Sequence, residues 1–304
     1  MIRISRDYVT GAHSPSDTPA ARCQSGDTVW FETRNCYDDR LAADGSEFEP
    51  ENAVENPATG PLYIEGAKKG DVLKVEILDI TLKGIGYMRQ STVGGAFYER
   101  VSERVVREFD VSGDTLQFND TLTFPINTMI GVIGVAPETE AISTVIPGDH
   151  GGNMDCTRII EGSTVYLPVN VDGALLAIGD LHALMGDGEC MICGLESAGE
   201  VTVRVSVVQE DALPTPCVVT AHDPCNPTRI CTIQSEEDLM AAAKKSANCM
   251  LDYLLARTDL DEYDGGKLLS LKGDLIINQI VNPLLTVRME LDKSILDAYE
   301  VDIP

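Results

Sequence analysis

The chain has 304 residues, enough for one large domain or two ordinary ones. Its 43% hydrophobic and 24% charged residues are typical of globular proteins, so a sizeable core can be buried. The 23 basic and 49 acidic residues give a net charge of −26, which repels nucleic-acid backbones and anionic lipids. An aromatic content of 5% also disfavours base stacking. We therefore expect no nucleic acid and no membrane as partner, but a small neutral or cationic substrate, or a metal ion.

The N-terminal segment is polar and lacks the apolar stretch of a signal peptide. No apolar run approaches the roughly 18 residues that a membrane helix needs. Nine cysteines, an odd number, are scattered without a disulfide framework. These features predict a cytoplasmic protein with reduced thiols. Cys190 and Cys193 form a single C-x-x-C, which we interpret as two packed thiols rather than a redox or metal motif.

Short stretches in which apolar and polar residues alternate predict strands through the first two thirds of the chain. A run over Phe97–Phe109 fits a helix or a strand, and that choice stays open. Turn residues at Asp172–Gly173 predict a hairpin. The predicted strands are Asp27–Thr33, Leu73–Leu78, two within Thr164–Leu176, and Val201–Val207. Their spacing favours a sandwich-like or barrel-like β domain over residues 1–210.

The composition changes after Glu210, where Asp211–Cys217 has the prolines of a linker. Ser235 and Asp238 then resemble the capping box of a helix. The apolar face predicted for this helix comprises Met240, Ala243, Ala247, Met250, Leu251 and Leu254. A strand over Gly273–Ile280 follows. We therefore predict a mainly β protein, with a smaller α+β unit at residues 211–304 packed on the β-sandwich-like N-terminal part.

Two of the four histidines, His150 and His182, lie in segments dense with Gly, Asp and Asn. These segments are Pro147–Cys156 (PGDHGGNMDC) and Gly179–Glu189 (GDLHALMGDGE). Residues two apart in an extended segment share a face, so Asp180 and His182 are predicted to point into one cavity. The other two histidines, in Pro/Ser/Asp-rich loops, are predicted to lie at the surface.

The same spacing relates Asp187 to Glu189, and imidazole with carboxylates suits zinc or a similar divalent ion. Asp-Gly pairs are also common in turns, so either segment alone would more often be structural than functional. The occurrence of two histidines in two such segments makes a site as well supported as a purely structural explanation. Cys36 and Cys156 lack the context of a catalytic cysteine and are interpreted as packed thiols. Of Asn278 and Gln279, inside an apolar strand, one is expected to be buried.

Five segments resemble the acetamidase/formamidase family in order and spacing, over nearly the whole chain. They are Asn56–Ile77, Pro125–Pro137, Pro147–Asp155, Gly179–Glu189 and Ser270–Pro283. The resemblance implies a mainly β fold, hydrolysis of short aliphatic amides to a carboxylate and ammonia, and a divalent metal ion. Two positions depart from the family pattern: Met185 replaces a frequent Gln, and Asn35 replaces a usual acidic residue.

Residue chemistry and the resemblance together assign roles to eight side chains. A metal ion would polarise the amide carbonyl and activate water, while a carboxylate moves the proton to the leaving nitrogen. Zinc is the expected ion, with calcium as a candidate second one. The predicted ligands are His150, Asp155, Asp180 and His182. Glu189 is the predicted general base, Asn153 steadies the oxyanion, and Glu55 and Met185 line the substrate pocket.

Other readings of the same site stay open. The protein could hydrolyse another small C–N compound, or it could bind metal or assemble without amidase turnover. A homo-oligomer, in the simplest case a dimer, is expected.

Overall fold

The computed structural model describes residues 1–42, 46–48, 53–209, 213–223 and 225–304. Within these ranges it contains 20 strands, three α-helices and a 3-10 turn at Tyr98–Arg100. The strands are β1 (Ile2–Ile4), β2 (Val9–Thr10), β3 (Ala12–His13), β4 (Ala21–Gln24), β5 (Thr28–Thr33), β6 (Ala58–Glu65), β7 (Val72–Gln90), β8 (Val105–Asp110), β9 (Thr115–Gln117), β10 (Thr123–Pro125), β11 (Met129–Gly134), β12 (Ile142–Ser143), β13 (Gly151–Asn153), β14 (Thr164–Pro168), β15 (Leu176–His182), β16 (Glu196–Val208), β17 (Cys217–Val219), β18 (Arg229–Glu236), β19 (Asp274–Gln279) and β20 (Leu285–Asp292). The helices are α1 (Leu239–Arg257), α2 (Glu262–Lys272) and α3 (Lys293–Ala298). The prediction of a mainly β fold with helices in the C-terminal part is confirmed.

Sixteen strands join one hydrogen-bonded sheet, whose main path runs β13-β11-β15-β16-β7-β14-β17-β18-β20-β19. Its longest pairing is the antiparallel one between β7 and β16, which extends from Tyr87↔Glu196 to Val72↔Val208. The register shifts twice along this pairing, and such bulges bend strands around a core. β11 and β13 follow β15 at the end of the path and carry candidate site residues.

Apolar residues at alternate positions of the strands face inward and form the main core. Val201, Val203 and Val205 of β16 are fully buried, as are Leu73 and Val75 of β7. Each such side chain contributes about 1.5–3 kcal/mol by leaving water. The strands predicted from period-2 alternation are therefore confirmed in these two elements.

The predicted hairpin at Asp172–Gly173 is wrong. β14 and β15 flank this segment, but β14 pairs with β7 and β17, whereas β15 pairs with β11, β16 and β6. Ala174 and Leu175 both have positive φ and are buried, so the chain turns inward and crosses to different neighbours. The ambiguous run at 97–109 forms the 3-10 turn and then β8.

α1, the helix predicted to start after a capping box at Ser235, begins later than predicted. Asp238 is its N-cap, with a side chain that accepts a hydrogen bond from the Ala241 N–H at 2.9 Å. Ser235 lies in β18 instead, where its hydroxyl contacts Thr286 at 2.9 Å, so the predicted capping box is wrong. Met240 is 61% exposed and does not belong to the buried face. That face comprises Ala242, Ser246, Met250, Tyr253 and Leu254.

α1 packs on β18 and β20, and this packing forms a second apolar cluster that includes Ile230, Met250 and Leu291. β17 pairs with both β14 and β18, so the sheet continues from the first part of the chain into the last. The predicted boundary at residues 210 and 211 lies outside the described residues. In the part of the chain that the structure describes, no helix is long and apolar enough to span a membrane.

Candidate active site

Three acidic residues near the ends of β13 and β15 have left-handed backbone conformations. Asp155, Asp180 and Glu189 have φ values of 45°, 55° and 46°. Such conformations are uncommon for residues other than glycine, and they concentrate at functional sites. All three side chains are buried, at 0%, 3% and 7% exposure. The backbone therefore holds these three buried carboxylates at some conformational cost.

The structure brings these three carboxylates and that of Glu196 together around His182. The ligand atoms of Asp155, His182 and Glu189 all lie within 4.8 Å of one another. His182 Nε2 lies 3.4 Å from Asp180 Oδ1 and 3.1 Å from Glu196 Oε2. His182 is fully buried and Glu196 is 2% exposed. We call Asp155, Asp180, His182, Glu189 and Glu196 the acidic centre.

The carboxylates of the acidic centre perturb one another. Burial and the charge of Asp180 raise the pKa of Asp155 to about 7. Burial and the charge of Asp155 raise the pKa of Glu189 well above its usual value. Burial alone would lower the pKa of His182, but the carboxylates of Glu196 and Asp180 outweigh burial and raise it well above its usual value. Because one imidazole does not balance four buried carboxylates, Asp155 and Glu189 resist ionisation in the absence of a further positive charge.

Several atoms of the acidic centre have no hydrogen bond within the described part of the chain. They are Asp180 Oδ1, Glu189 Oε2, Glu196 Oε2 and both ring nitrogens of His182. Asp180 Oδ1 and Glu196 Oε2 lie against His182 Nε2 as ion-pair contacts without hydrogen-bond geometry, whereas Glu189 Oε2 and His182 Nδ1 have no such contact among the described residues. Buried polar groups are nearly always paired, so a cluster of unpaired ones calls for a ligand. Carboxylate oxygens with one imidazole are a donor set that suits zinc and related divalent ions.

Three asparagine side chains donate hydrogen bonds to the carboxylates of Asp155 and Asp180. Asn282 Nδ2 donates to Asp155 Oδ2 at 2.7 Å, and Asn56 Nδ2 donates to Asp180 Oδ2 at 3.4 Å. With its amide nitrogen toward the carboxylates, Asn153 donates to Asp180 Oδ2 at 2.9 Å and to Asp155 Oδ1 at 3.3 Å. These donors orient Asp155 and Asp180.

Two glycines leave room for the side chains of the acidic centre to lie close together. A Cβ at Gly131 would lie 2.6 Å from Asp180 Oδ2 and 2.8 Å from Asp155 Oδ1. A Cβ at Gly194 would lie 2.6 Å from His182 Nδ1. All three distances are too short for a real side chain. Gly131 lies in an apolar run typical of an ordinary core strand, so this close approach could not be predicted from the sequence.

A polar cavity of about 420 Å³ opens onto the acidic centre. Asn153, Asp180, Glu189, Glu196 and the predicted pocket residue Glu55 line it. It can admit a small molecule to the carboxylates.

Met185 lies elsewhere, in a more apolar cavity of about 360 Å³ that Phe124 and Leu195 also line. Glu189 and Cys193 border both cavities, so the loop that contains them separates the two. In this structure Met185 is not among the residues that line the polar cavity, and its role in substrate binding stays a prediction.

The structure does not bring His150 into the acidic centre. Its ring meets that of His13 edge-on, with centroids 5.2 Å apart. His13 is 2% exposed, so its predicted surface location is wrong. Gly151 and Gly152, with φ of 93° and 79°, turn the chain between His150 and Asp155. A ligand role for His150 stays a prediction.

Asp187, expected beside Glu189, is bound to a buried arginine instead. Arg288 donates to Asp187 Oδ1 at 2.8 Å and Oδ2 at 2.9 Å, and to Asn278 Oδ1 at 2.7 Å. Asn278 Nδ2 in turn donates to the Met154 carbonyl at 3.2 Å. Asn278 and Gln279 are both fully buried, where the sequence predicted one.

Sequence reasoning missed Glu196, Asn56 and Asn282. Asn56 and Asn282 lie within the segments that carry the family resemblance, which was the available signal. Glu196 faces His182 only through the register of β15 and β16, which pairs these two residues directly.

Comparison with known proteins identifies the family. The model of the Acetamidase/Formamidase family matches residues 12–143 and 138–254. The fold matches the crystal structure of an acetamidase from Bacillus halodurans with a TM-score of 0.94 and 44% identity, covering 99% of this chain and 100% of that one. It matches a predicted acetamidase/formamidase from Thermoanaerobacter tengcongensis with a TM-score of 0.93 and 37% identity, covering 99% of each chain. The chain belongs to the acetamidase/formamidase family.

Curated relatives match over a shorter stretch. A Schizosaccharomyces pombe protein whose name contains the word formamidase is 29% identical, in a match that covers 50% of this chain and 51% of that protein. The match thus spans about half the length of this relative.

Proposed function

We propose that this protein is an amidohydrolase that converts short aliphatic amides, such as formamide and acetamide, to a carboxylate and ammonia. The observation that carries the proposal is the acidic centre at the wall of a cavity of about 420 Å³. Membership of the acetamidase/formamidase family and the likeness to the B. halodurans acetamidase support it. A neutral amide also needs no steering by a surface of net charge −26.

We further propose that the acidic centre holds a divalent cation, zinc in the first instance, with calcium as a candidate second ion. Asp155, Asp180 and His182 would hold it, together with Glu196, which the sequence did not suggest. Asp180 Oδ1, Glu196 Oε2 and the His182 ring nitrogens are buried without a hydrogen bond in the described part of the chain, which supports this role. When bound, such an ion supplies Lewis-acid polarisation of the amide carbonyl.

The remaining steps use side chains of the protein. Glu189 accepts the proton of the attacking water as a C–O bond forms and gives it to the amide nitrogen as the C–N bond breaks. Its burial supports this role, because the resulting carboxylic acid is stable there. Asn153, which lines the cavity, orients the amide and stabilises the oxyanion. Glu55 and Met185 remain the proposed residues for substrate selection.

Ammonia release across a panel of formamide, acetamide, propionamide and other small C–N compounds tests the proposal. The metal content of the same preparation is measured alongside. We expect turnover of the short amides, metal at the acidic centre, and loss of both after treatment with a chelator.

Turnover of a different C–N compound alone would replace the substrate class. Bound metal without any turnover would favour the alternative of a metal-binding or assembly protein. Activity that survives complete metal removal would refute the metal-assisted mechanism. The homodimer and the cytoplasmic location stay predictions, to be checked by light scattering and cell fractionation.

A further inference from the structure

Arg89 places a positive charge on the wall of the polar cavity, which the acidic centre also lines. It is half-buried near the end of β7. Arg40 is the other arginine of this wall, but its guanidinium is already bound to Glu47 at 3.4 Å and to the Tyr37 carbonyl at 2.9 Å. Among the described residues, the Arg89 side chain makes no ion pair and donates no hydrogen bond. Its N–H groups are therefore available to a molecule in the cavity.

The ring of Tyr37 holds the Arg89 guanidinium in place. The central guanidinium carbon lies 4.6 Å from the ring centroid. Tyr37 is 4% exposed, and its N–H donates to the Asn35 side chain at 3.0 Å. Stacking uses the face of the guanidinium, so the N–H groups at its edge stay free. A fixed guanidinium with free N–H groups can bind a carboxylate through two parallel hydrogen bonds.

Glu47 does not neutralise Arg89. The hydrogen bond from Arg104 is the main reason why the pKa of Glu47 lies below its usual value, and the charges of Arg40 and Arg89 add less. Arg104 and Arg40 form the ion pairs to Glu47, whereas Arg89 acts on it only from a longer distance. The charge of Arg89 is therefore left for a ligand.

The size and charge of the cavity suit a small anion at this position. The cavity of about 420 Å³ is far larger than one formamide or acetamide needs, since a water molecule occupies roughly 30 Å³ in the liquid. A net charge of −26 disfavours anions near the protein, so an anion in the cavity needs a local cation. The cavity thus has room for a carboxylate at Arg89 beside an amide at the acidic centre.

We propose that Arg89 forms a carboxylate site in the polar cavity, separate from the acidic centre, and that this site takes the formate or acetate that hydrolysis releases. The inference rests on the proposed function for the source of the carboxylate, but not for the site itself. Its consequence is product inhibition, because a carboxylate held at Arg89 occupies the cavity between turnovers.

The test is a calorimetric titration of the protein with sodium acetate at constant ionic strength. Arg89→Gln is expected to weaken acetate binding about 10-fold, because it removes hydrogen bonds between charged groups. Arg89→Lys should weaken binding less, since lysine keeps the charge but not the planar pair of donors. Arg3→Gln is the matched control: Arg3 also lies over an aromatic ring, that of Trp30, at 4.8 Å, but it does not line this cavity. This variant should bind acetate as the unmodified protein does.

Equal acetate affinity in the unmodified protein and in Arg89→Gln would overturn the proposal. Equal weakening in Arg3→Gln would do the same, because it would show an effect of net charge alone. If Arg89→Gln fails to fold by circular dichroism, Arg89→Lys replaces it, and an unchanged affinity in that variant would refute the paired hydrogen bonds.

Ammonia-release assays with added acetate separate this site from the proposed function. We expect acetate to inhibit Arg89→Gln less than it inhibits the unmodified protein. Acetate binding that depends on Arg89, in a protein that turns over no amide, would refute the proposed function alone. Amide turnover with acetate binding that does not depend on Arg89 would refute only this inference.

Discussion

The guanidinium of Arg288 donates hydrogen bonds to both carboxylate oxygens of Asp187, at 2.8 and 2.9 Å. Asp187 is two residues before Glu189, so a buried residue of β20 fixes the loop that carries the proposed general base. The adjacent Gly188 N–H also donates to the Asn278 carbonyl at 2.8 Å. Bidentate pairs of this kind specify geometry as well as adding energy. The C-terminal strands therefore position the loop of Glu189, the proposed general base, although they do not contain that residue.

Asp187→Ala is expected to lower kcat for acetamide roughly 10- to 100-fold, the range typical of residues that orient ligands. Loss of the pair lets the loop move, so Glu189 spends less time in its productive position. Because Asp187 does not line the polar cavity, KM should change less than kcat. Steady-state kinetics measures both values. Asp172→Ala is the control, since its pair with Lys68 is exposed to solvent and contributes little to stability. An unchanged kcat in Asp187→Ala would show that the loop containing Glu189 keeps its position without the ion pair to Arg288.

Glu189→Gln is expected to reduce the rate of ammonia release by about 10²–10⁴-fold, because the amide cannot accept the proton of water. The free energy of unfolding should not fall, since burial already disfavours the charged carboxylate at this position. Ammonia assays and urea denaturation check the two effects. Glu161→Gln, at an exposed turn position, serves as the control. Retained activity would remove Glu189 from the mechanism.

Gly131→Ala is expected to abolish activity. Its Cβ would lie 2.6 Å from Asp180 Oδ2, so the carboxylates of the acidic centre must move apart. Gly113→Ala is a matched control because a Cβ there meets nothing within 4 Å. Activity and metal content of both variants, compared with circular dichroism, separate loss of the site from loss of the fold. A fully active Gly131→Ala would show that the carboxylates need no such close approach.

Acid should destabilise the fold through the buried histidine pair. Burial, and then the charge of His150, lowers the pKa of His13 to about 3, against about 6.5 in an unfolded chain. Below pH 6.5, His13 binds a proton in the unfolded chain but not in the folded one. The free energy of unfolding therefore falls as pH decreases toward 4. The loss is about 1.4 kcal/mol per pH unit for this residue.

Urea denaturation at several pH values between 5 and 8 measures this slope. His13→Asn is expected to show a shallower decrease of the free energy of unfolding below pH 6.5. His222→Asn should keep the full slope, because His222 is exposed in this structure. Equal slopes in all three proteins would mean that His13 is protonated in the folded state.

Much of the fold could be predicted from the sequence, because alternation such as Val201, Val203 and Val205 is a local signal of strands. The pairing of strands is not local, and so the hairpin at Asp172–Gly173 was predicted wrongly. Likewise, the spacing of Asp180 and His182 predicted their proximity correctly. Glu196 joins them only through strand register, which alternation does not specify.

Sequence proximity also suggested that His150 would lie beside Asp155, which this structure does not show; its ligand role stays a prediction. His150 precedes Asp155 by five positions in one Gly-rich segment, which made both appear to serve one site. The turn at Gly151 and Gly152 sends the imidazole toward His13 and the carboxylate toward Asp180. Glycine allows the backbone to approach a ligand closely, and it also allows sharp turns of the chain. The sequence does not distinguish these two uses.

The hydrogen bond from Asn282 to Asp155 joins residues 127 positions apart, and Arg288 lies further along still. During synthesis, the residues of the acidic centre up to Glu196 leave the ribosome long before these partners do. Until then the buried carboxylates have no Asn282 donor, and the Glu189 loop has no anchor at Arg288. The order of translation therefore makes the C-terminal strands the last components of the site to arrive, so a nascent chain has its acidic residues before it has the means to orient them.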